Sequence, residues 1–549
     1  MKRFARVRLL LAMAALMAAV IAVVVYASPY EPVVAPVIDI EEIWAIEDAR
    51  TESETPLVTR LHNHGIPLGY DASENTFYCS VGLDNEDWPD IHLTAPDAQN
   101  VSLVFVDDYT YDWCADAVMD GYAYQLLAYT DDEFFYTQVV FTGLPLVILS
   151  GNEPLIPHED VPVKVSLSWD ANTGLVANAR AHERGDTTLR MREKHGIKVE
   201  FTRTDSGRRK TQVDMPFLGR TDEFILIACA MDQLLIRDRL SWDLYNAVSQ
   251  RTEPFGGRET RYVEVFVGDD YEGLYLLMKP FDSEEEMALA GKSAPQTDSL
   301  YRMAGGSVYE FDKPLAQDHR GYYYEEHYAP QGAADCEALQ PYLALLREES
   351  NEAFCEGVMD LLDIDSVIRY VLFTQACGMT DNEHNNLYVH AHHGADGLTY
   401  YFHPWDLDVS WGRDDEENAE VWYPFPLFDR MVELDCGGVV RDRVKAIWQE
   451  MREKAFNDEN VDALIAHYNH VMGDSGAFYR DAVKWNRPNS YPDGYSTYSY
   501  ATSRFEMMDR RIEEFCSEEL KDRYLQIEGY TTFDVKPLEE ARGENGTTT

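Results

Sequence analysis

One stretch in the second half of the chain decides the fold: residues 380–412, which read TDNEHNNLYVHAHHGADGLTYYFHPWDLDVSWG. It opens with an acidic loop at 381–386, and the apolar and aromatic run at 387–389 is typical of a strand. Residues 394–397 carry turn chemistry, and 398–403 predict the returning strand of a hairpin. The hairpin would carry the residues that follow it back to the end where the acidic loop lies.

The residues that follow the return strand are also acidic. Asp406 and Asp408 belong to the sequence PWDLD, and the hairpin brings them to the loop that contains Asp381 and Asn386. Mg²⁺ and Mn²⁺ prefer oxygen ligands, so this meeting of acids suits a divalent-cation site. Protein kinases use the spacing D-x-x-x-x-N and a later metal-binding Asp in this order. An acidic turn beside a hairpin is the alternative explanation of the spacing alone.

The whole stretch resembles the spore coat protein H (CotH) kinase family, a group of atypical, secreted-type protein kinases. The family pattern is N-x-D-x-x-x-N-Y-Y-L-Y, a hairpin, and then P-W-D-L-D-x-x-x-G. Its counterparts here are Asp381, residues 385–388, residues 404–408 and Gly412. The PWDLD block is a specific part of this resemblance, which extends over about residues 145–530.

A second block of similarity, residues 184–201, reads RGDTTLRMREKHGIKVEF. The family pattern there is R-G-N-S-T, a short spacer and K-K-P-Y-R-I-K-F, so Asp186 and His195-Gly196 are departures. A glycine turn with hydroxyl groups, followed by a strand that bears lysine, can place N–H groups and an ammonium on phosphate oxygens. We choose Lys194 as the phosphate-contacting lysine, with Lys198 second. The implied cofactor-binding residues are Arg184, Thr187, Thr188, Lys194 and Lys198.

Three further patterns surround this block. Residues 197–201 alternate between apolar and polar, which predicts a half-buried strand. Residues 232–244 resemble the family's D-x-x-x-x-R-N-x-L helix, with Asp238 in place of the asparagine. The acids of that helix are candidates to pair with the lysine, and a solvated helix face is the alternative. Residues 261–280 resemble a family hairpin, but Lys279 stands where the family has glutamate.

Length and composition bound the function. The 549 residues predict two or three domains, and a hydrophobic content of 45% is enough for a real core. Lys and Arg number 47 against 97 Asp and Glu, which gives a net charge of -50. Because nucleic-acid binding needs a basic surface, this balance argues against a nucleic-acid partner.

The N-terminus has the pattern of a targeting segment. A cluster of Lys and Arg precedes an apolar run at 9–25, and a small-x-small-like site follows. The run is long for a signal peptide and near the lower limit for a spanning helix, so residues 1–27 are either a signal peptide or an N-terminal membrane anchor. Both alternatives predict an extracytoplasmic protein, secreted or anchored to the cell membrane by this segment.

The patterns of cysteine and histidine give little support for a metal site. The eight cysteines form no C-x-x-C pair, which disfavours a zinc ribbon, and an exported chain permits disulfides such as Cys79 with Cys114. Zinc could bind the H-x-H-H pattern of residues 390–393, but a surface turn at the hairpin tip is the preferred interpretation. A surface turn is also preferred over a metal site at His62 and His64.

We divide the chain where composition and pattern change. The predicted segments are a spacer at 28–60, a small β domain at 61–145, a CotH kinase-like domain at 146–530 and a flexible tail at 531–549. Aromatic residues in the β domain fit an ordinary core, and an aromatic face for glycan or peptide is the alternative. Residues 281–335 are polar and glycine-rich, and predict an insertion or substrate-facing loop.

These features predict an α+β fold in which a kinase-like, two-lobed CotH-type domain follows a small all-β domain. The resemblance implies transfer of the ATP γ-phosphoryl group to Ser, or Thr, of a surface, coat or secreted protein, with Mg²⁺ or Mn²⁺. In that reaction Asp381 orients or deprotonates the acceptor hydroxyl, and Lys194 offsets phosphate charge. Asn386 and Asp406 hold the metal, and Asp408 supports the metal shell. The alternatives are a catalytically inactive kinase-like binding protein and a carbohydrate-binding envelope protein.

Overall fold

The computed structural model describes residues 35–516, apart from 84, 86–87, 99, 108–117, 119–120, 186, 206, 250–256, 282–297, 305–313, 331, 384, 414–417 and 488–493. The predicted targeting segment, the predicted tail, Cys114 and Asp186 therefore lie outside the described residues. Within the described part, no helix combines the length and the apolar character needed to cross a membrane.

The first part of the fold is rich in strands. They are β1 (Thr51–Glu52), β2 (His62–Asn63), β3 (Ile66–Pro67), β4 (Gly69–Asp71), β5 (Thr76–Ser80), β6 (Leu93–Thr94), β7 (Ser102–Phe105), β8 (Ala123–Tyr129) and β9 (Glu133–Thr142). The main sheet has the order β4-β5-β9-β8-β7, with β1 added in parallel to β9, and a smaller sheet has the order β3-β2-β6. Phe77, Leu126 and Val139 are completely buried in its core.

Part of the predicted spacer belongs to this strand-rich unit. Helix α1 (Ile40–Asp48) buries Ile43 against Leu127 and Phe134, and β1 follows it directly. The helix docks because Ile43 finds apolar partners on the sheet, and burial of such a side chain is favourable by about 1.5–3 kcal/mol. The chain is therefore ordered well before residue 61.

A closed barrel follows. Its part of the chain contains β10 (Leu146–Ser150), β11 (Val161–Ser168), β12 (Gly174–Arg184), helix α2 (Thr187–Met191), β13 (Gly196–Phe201), β14 (Val213–Met215), β15 (Gly219–Thr221), β16 (Glu223–Ile227), β17 (Thr260–Val267) and β18 (Asp270–Met278). The barrel order is β10-β11-β12-β13-β16-β18-β17, while β14 and β15 pair with each other. Apolar residues of β13 face the interior and its polar residues face outward, so the predicted alternation is confirmed. The predicted hairpin is also confirmed as β17–β18.

A second sheet carries the segment 380–412. Its strands are β19 (Ser299–Ala304), β20 (Leu315–Gln317), β21 (Tyr323–Tyr328), β22 (Asn385–Gly394) and β23 (Gly397–Pro404), in the order β20-β21-β19-β22-β23. The hairpin predicted after the acidic loop is confirmed, with register from Leu387 opposite Pro404 to Gly394 opposite Gly397. The region predicted as a loop at 281–335 instead supplies three of the five strands, because β19 pairs with β22.

Helices surround this sheet. They are α3 (Arg237–Val248), α4 (Gln340–Arg347), α5 (Asn351–Leu361), α6 (Ile364–Cys377), α7 (Pro426–Leu434), α8 (Val440–Lys454), α9 (Asp458–Asn469), α10 (Ala477–Lys484) and α11 (Tyr495–Phe515). Helix α6 is buried from Ser366 to Cys377. Asp363 caps its start by accepting the Ser366 N–H over 2.9 Å, and Gly378 ends it with φ 65°. The acidic loop thus begins at the end of a fixed core helix.

The predicted fold class is confirmed: a strand-rich region precedes a mixed α+β domain with a barrel lobe and a helical lobe. A disulfide joins Cys355 of α5 to Cys436, 81 residues later. Cys79 is a buried thiol, and its candidate partner lies outside the described residues. The disulfide therefore cross-links the helical lobe and not the β domain.

Helix α10 attaches the helical lobe to the barrel through a buried ion pair. Arg480 donates to both carboxylate oxygens of Glu264 on β17, at 2.8 Å and 2.9 Å. Tyr271 donates its hydroxyl to the same carboxylate over 2.7 Å, and Thr142 does so over 2.5 Å. Glu264 is completely buried, so these donors replace the water that the carboxylate loses on folding.

Replacing Arg480 by Ala should lower the free energy of unfolding by about 3–5 kcal/mol, because Glu264 would remain buried without its cation. Urea unfolding followed by circular dichroism measures the loss. The control is Arg511→Ala, which removes an exposed pair with Glu514 at 3.4 Å and should change stability by no more than about 0.5 kcal/mol. Equal effects of the two substitutions would contradict a special role for the α10 contact.

Candidate active site

The acidic loop and the PWDLD segment meet at one end of the β22–β23 hairpin. Asn382 of the loop is completely buried, and its amide nitrogen donates to the Trp405 carbonyl oxygen over 2.9 Å. Tyr370 of α6 donates its hydroxyl to the Asn382 carbonyl oxygen over 2.8 Å. The Asn386 amide nitrogen donates to Asp381 Oδ2 over 2.6 Å. The two segments are therefore fixed to each other and to the core helix.

Three residues of this region that are not glycine have left-handed backbone conformations. The angle φ is 56° at Asn386, 54° at Asp406 and 54° at Trp411. L-residues adopt this conformation at a cost in energy, which Asn and Asp tolerate better than most. Such conformations persist where the surrounding structure imposes them, and they cluster at functional sites.

A third carboxylate, that of Asp238 on α3, lies under the PWDLD segment. Asp238 is 2% exposed, and its Oδ1 accepts the Leu407 N–H over 3.2 Å. Its Oδ2 is buried and has no hydrogen-bond partner. Asp408 is partly buried and pairs with Arg413 at 2.5 Å, whereas Asp406 is exposed.

The electrostatics of these carboxylates favour a bound cation. Burial raises the pKa of Asp238 well above its ordinary value, and the charges of Asp408 and Asp406 raise it further. Burial also raises the pKa of Asp408 to about 7, with Asp406 adding to the rise and Arg413 opposing it. Like charges in a desolvated site are relieved by a proton or by a metal ion.

The donor set fits a hard divalent cation such as Mg²⁺ or Mn²⁺. The carboxylates of Asp238, Asp406 and Asp408 and the amide of Asn386 offer the oxygen ligands that these ions prefer. The buried Oδ2 of Asp238 lacks any other partner. Among the described residues, two other clusters bring three His, Cys, Asp or Glu ligand atoms within 4.8 Å of one another. The carboxylates of the acidic site do not form such a cluster. The carboxylates thus stand further apart than the ligands of a bound ion.

Lys194 lies in the turn before β13, and its ammonium group is buried. It donates to Asp481 Oδ1 and to the Leu274 carbonyl oxygen, each over 2.5 Å, and lies 4.5 Å from the ring centroid of Tyr275. Asp481 of α10 is completely buried, and also accepts the Leu274 N–H over 2.8 Å and the Arg487 guanidinium. The partner of the lysine therefore comes from a helix near the end of the domain.

Neither expectation is correct for Asp232, which precedes α3, or for Asp238, which lies in its first turn. Asp232 accepts the backbone N–H of Arg237 over 2.8 Å and pairs with its guanidinium, and Asp238 faces the PWDLD segment. Both acids are buried, so they do not form a solvated helix face. The reason is that α3 packs against β17 and against helices α8 and α9.

Gly273 allows the Asp481 carboxylate to reach the barrel backbone. Its φ is 95°, in the region that favours glycine, and a Cβ atom there would collide with Asp481 Oδ1. The close approach lets one carboxylate oxygen accept both the Leu274 N–H and the Lys194 ammonium. A residue without a side chain is therefore required beside the ion pair.

A cavity of about 370 Å³ lies beside Lys194 and is lined by Cys229 and Asp481 among others. Burial lowers the pKa of Lys194, and the Asp481 carboxylate opposes this shift. Burial raises the pKa of the Cys229 thiol well above its ordinary value, Asp238 raises it further, and Lys194 lowers it. Lys194 and Asp238 therefore both influence the charge state of the Cys229 thiol, in opposite directions.

The glycine turn of the second sequence block lies close to the PWDLD segment. The guanidinium carbon of Arg184 is 6.0 Å from the ring centroid of Trp405. Gly185 has φ 122°, and a Cβ atom there would collide with Thr188 Oγ1, so the turn closes around that hydroxyl. The structure thus places Arg184 near the PWDLD segment and Thr188 at the turn, while the Thr187 side chain lies outside the described residues.

Lys198 does not join this group. It projects outward from β13, and its Nζ lies 3.3 Å from Glu200 and 3.3 Å from Glu223. Alternation along the strand places it on the face opposite the barrel interior, so its prediction as a cofactor-binding residue is not supported. Lys279, which replaces a family glutamate, donates to the Arg220 carbonyl oxygen over 3.3 Å.

Sequence reasoning missed two residues of the site. The sequence predicts Asp238 as a substitution for asparagine and, with the other acids of its helix, as a partner for the lysine, but not as a member of the acidic site; the available signal was that aspartate keeps a side-chain oxygen at this position. Asp481 gives no local signal, because it lies 287 residues from the lysine that it holds.

A comparison with protein-family models matches residues 181–521 to the family described as CotH kinase protein. The chain belongs to the CotH kinase family. The matched CotH region spans more than half of the chain and contains the Arg184 turn, Lys194 and the whole acidic site. Membership suggests an atypical kinase-like function and, in general, the use of ATP and a divalent metal. A comparison with curated proteins finds no match.

We expect this CotH-family protein, when free of metal, to lose stability as the pH rises through neutrality. The pKa values of Asp238 and Asp408 are raised by folding, so their stabilising contribution is complete below the unfolded pKa of about 3.9 and is lost as the pH rises through the folded pKa. Thermal unfolding in a chelator should therefore shift to lower temperature between about pH 5 and about pH 8.

The variant Asp238→Asn removes one of these groups and should flatten that pH dependence. The matched control is Asp442→Asn, which changes an exposed aspartate on α8 and should keep the wild-type pH profile. Identical profiles for wild type and Asp238→Asn would contradict the assignment of the raised pKa to this carboxylate.

Proposed function

We propose that this CotH-family protein transfers the γ-phosphoryl group of ATP to a serine or threonine hydroxyl of another protein. The observation that carries the proposal is the meeting of Asp381 and Asn386 with Asp406, Asp408 and Asp238 near a buried lysine. Phosphoryl transfer needs a proton acceptor, oxygen ligands for a cation and positive charge around one phosphate chain. These groups come from separate parts of the sequence, which an ordinary acidic turn does not explain.

Asp381 is the residue that would orient the acceptor hydroxyl. Asn386 donates to its carboxylate over 2.6 Å and Asn385 over 3.4 Å, which restrains its direction. As the acceptor oxygen bonds to the γ-phosphorus and the bond to the ADP oxygen breaks, the hydroxyl proton passes to Asp381. Much of the rate would come from this positioning and from electrostatic stabilisation.

Bound ATP supplies the transferable phosphoryl group, and bound Mg²⁺ or Mn²⁺ neutralises phosphate charge. In this proposal Asn386 and Asp406 hold the cation and Asp408 supports its shell. We add Asp238 to these residues because its buried Oδ2 has no hydrogen-bond partner.

Lys194 would offset the charge of the phosphates. Asp481 keeps the ammonium group in place, and the adjoining cavity of about 370 Å³ is within the usual size of small-molecule sites. Arg184, whose guanidinium lies near the ring of Trp405, and Thr188, whose hydroxyl lies at the Gly185 turn, would supply further phosphate donors, and Thr187 remains a candidate from the sequence. Lys198 is left out because its ammonium is held by two glutamates.

The proposed substrate is a surface, coat or secreted protein, outside the cytoplasm. Two features support this location: the basic and apolar N-terminal sequence, which is either a signal peptide or an anchor, and the Cys355–Cys436 disulfide, since such bonds persist in oxidising compartments. The net charge of -50 supports a partner other than nucleic acid.

A kinase-like surface or coat binding protein without catalytic activity is the second candidate. It is favoured by Lys279, whose ammonium donates to the Arg220 carbonyl oxygen at the place where family members carry glutamate. It predicts that the protein binds its partner, with or without ATP, and transfers no phosphate.

The test is transfer of labelled phosphate from ATP by the purified full-length protein with Mg²⁺ or Mn²⁺. Autophosphorylation and a generic serine-rich acceptor are the readouts. Asp406→Ala should reduce transfer by about 100-fold or more, because a ligand of the phosphate-neutralising cation is lost. Asp406→Asn should also reduce it, and it preserves the fold better because asparagine tolerates the φ of 54° at this position.

The matched control is Asp442→Ala, which changes an exposed aspartate of α8 far along the chain from the acidic loop. It should leave transfer unchanged, and all variants should unfold at temperatures close to wild type. Full activity of Asp406→Asn would refute the metal assignment. Absence of transfer by the wild-type protein, with ATP binding retained, would move the conclusion to the second candidate.

A further inference from the structure

We propose that Asp298, His390 and His392 form a second metal site, built for a transition-metal ion of the Zn²⁺ class. The site is separate from the acidic site, because it lies further along β22. His390 is four residues from Asn386, which corresponds to about 13 Å along an extended strand. Its ligands are also different in kind, since two of the three are imidazole nitrogens.

The distances between the ligand atoms are close to those around zinc. Asp298 Oδ2 lies 3.0 Å from His390 Nε2 and 2.8 Å from His392 Nδ1. The three ligand atoms lie within 4.8 Å of one another. Tetrahedral zinc with bonds of about 2.0–2.1 Å separates neighbouring ligand atoms by about 3.3 Å. Lengthening the two Asp298 distances by a few tenths of an ångström, within the reach of side-chain rotation, would bring them to the zinc value.

Strand geometry holds the ligands in place. His390 and His392 are two residues apart on β22, so they share one face of the sheet. β19 runs beside β22 with Ser299 opposite Ala391, which brings Asp298 next to His392. The His393 backbone N–H donates to the other oxygen, Asp298 Oδ1, over 3.0 Å. A hydrogen bond of this kind orients a metal-binding carboxylate and leaves Oδ2 directed at the two rings.

Burial gives this cluster the enclosed character of a built site. The His390 side chain is 0% exposed and that of Asp298 is 10%, while His392 is 25% exposed and provides a path from solvent. The interpretation of these histidines as a surface turn is therefore wrong for His390, which lies within the strand and not at the hairpin tip. Two imidazoles and one carboxylate suit Zn²⁺, whereas Mg²⁺ prefers oxygen ligands throughout.

The second cluster of ligand-type residues is less suited to a metal. His64 and His92 lie 3.7 Å and 3.5 Å from Asp90 Oδ2, but the Asp90 side chain is 74% exposed. An exposed side chain is not held toward its neighbours and loses more conformational freedom on binding. This surface cluster provides a matched control within the same chain.

A metal on Asp298, His390 and His392 would tie the beginning of β19 to the hairpin that delivers Asp406. The metal-free cluster already links the same strands through hydrogen bonds. Ligation would replace two hydrogen bonds by stronger bonds and should therefore raise the unfolding temperature. This effect does not depend on kinase activity, so it can be measured whether or not the protein transfers phosphate.

The experiment uses the full-length protein after removal of metals with a chelator. Zn²⁺ is titrated in competition with a coloured chelator, Co²⁺ is added as a spectroscopic probe, and thermal unfolding is recorded with and without Zn²⁺. We expect Zn²⁺ binding, visible Co²⁺ absorption of the tetrahedral type, and an upward shift in unfolding temperature. His392→Gln should weaken Zn²⁺ binding by at least about tenfold and abolish the shift. His64→Gln should keep both.

His392→Gln is the first choice because the His392 side chain is partly exposed, so its replacement disturbs the fold less. Asp298→Asn tests the same site if the first variant does not fold. The proposal is overturned if wild type binds no Zn²⁺, or if binding survives in His392→Gln or Asp298→Asn. It is also overturned if His64→Gln alone removes binding, or if excess Mg²⁺ displaces Co²⁺ from the protein.

Discussion

The buried ion pair between Lys194 and Asp481 is the interaction on which the arrangement of the site depends. A buried charge is tolerated only when an opposite charge and further hydrogen bonds replace lost water. Asp481 meets this requirement, since it accepts the ammonium, the Leu274 N–H and the Arg487 guanidinium. With the adjacent Arg480–Glu264 pair, it fastens one short helix to the barrel at two points. The position of the lysine is thus a property of both lobes together.

The acidic side of the site has the opposite character. Burial and the charges of Asp408 and Asp406 raise the pKa of Asp238, burial and the charge of Asp406 raise that of Asp408, and the buried Oδ2 of Asp238 has no hydrogen-bond partner. On one side of the site Lys194 and Asp481 neutralise each other, and on the other side several negative charges lie close together. A nucleotide bound with its metal would bring a cation to the acids, and its phosphates would share the Lys194 ammonium with Asp481.

The sequence predicted the parts of this site that lie on continuous segments. The loop at 381–386, the hairpin and the PWDLD segment follow from turn chemistry and strand pattern, and the alternation in 197–201 follows from burial of one face. The sequence kept both Lys194 and Lys198 as candidates, and only the fold shows that Lys194 pairs with Asp481 while Lys198 lies beside Glu200 and Glu223. Asp481, Asp238 and Asp298 depend on contacts between distant segments. No local periodicity encodes such contacts, so the fold had to be seen before these residues could be assigned.

The attachment of helix α10 also affects the stage of protein synthesis at which the fold can be completed. Lys194 is made 287 residues before Asp481, and Glu264 is made 216 residues before Arg480. Chains generally begin to fold from the N-terminus while they are being made, so Lys194 and Glu264 are made long before the α10 partners that they have in the finished fold. The burial of both charges is therefore compensated only after α10 has been made. Chains that stop before α10 lack the carboxylate that holds Lys194, so they cannot fix its ammonium group in the position that it has in the complete fold.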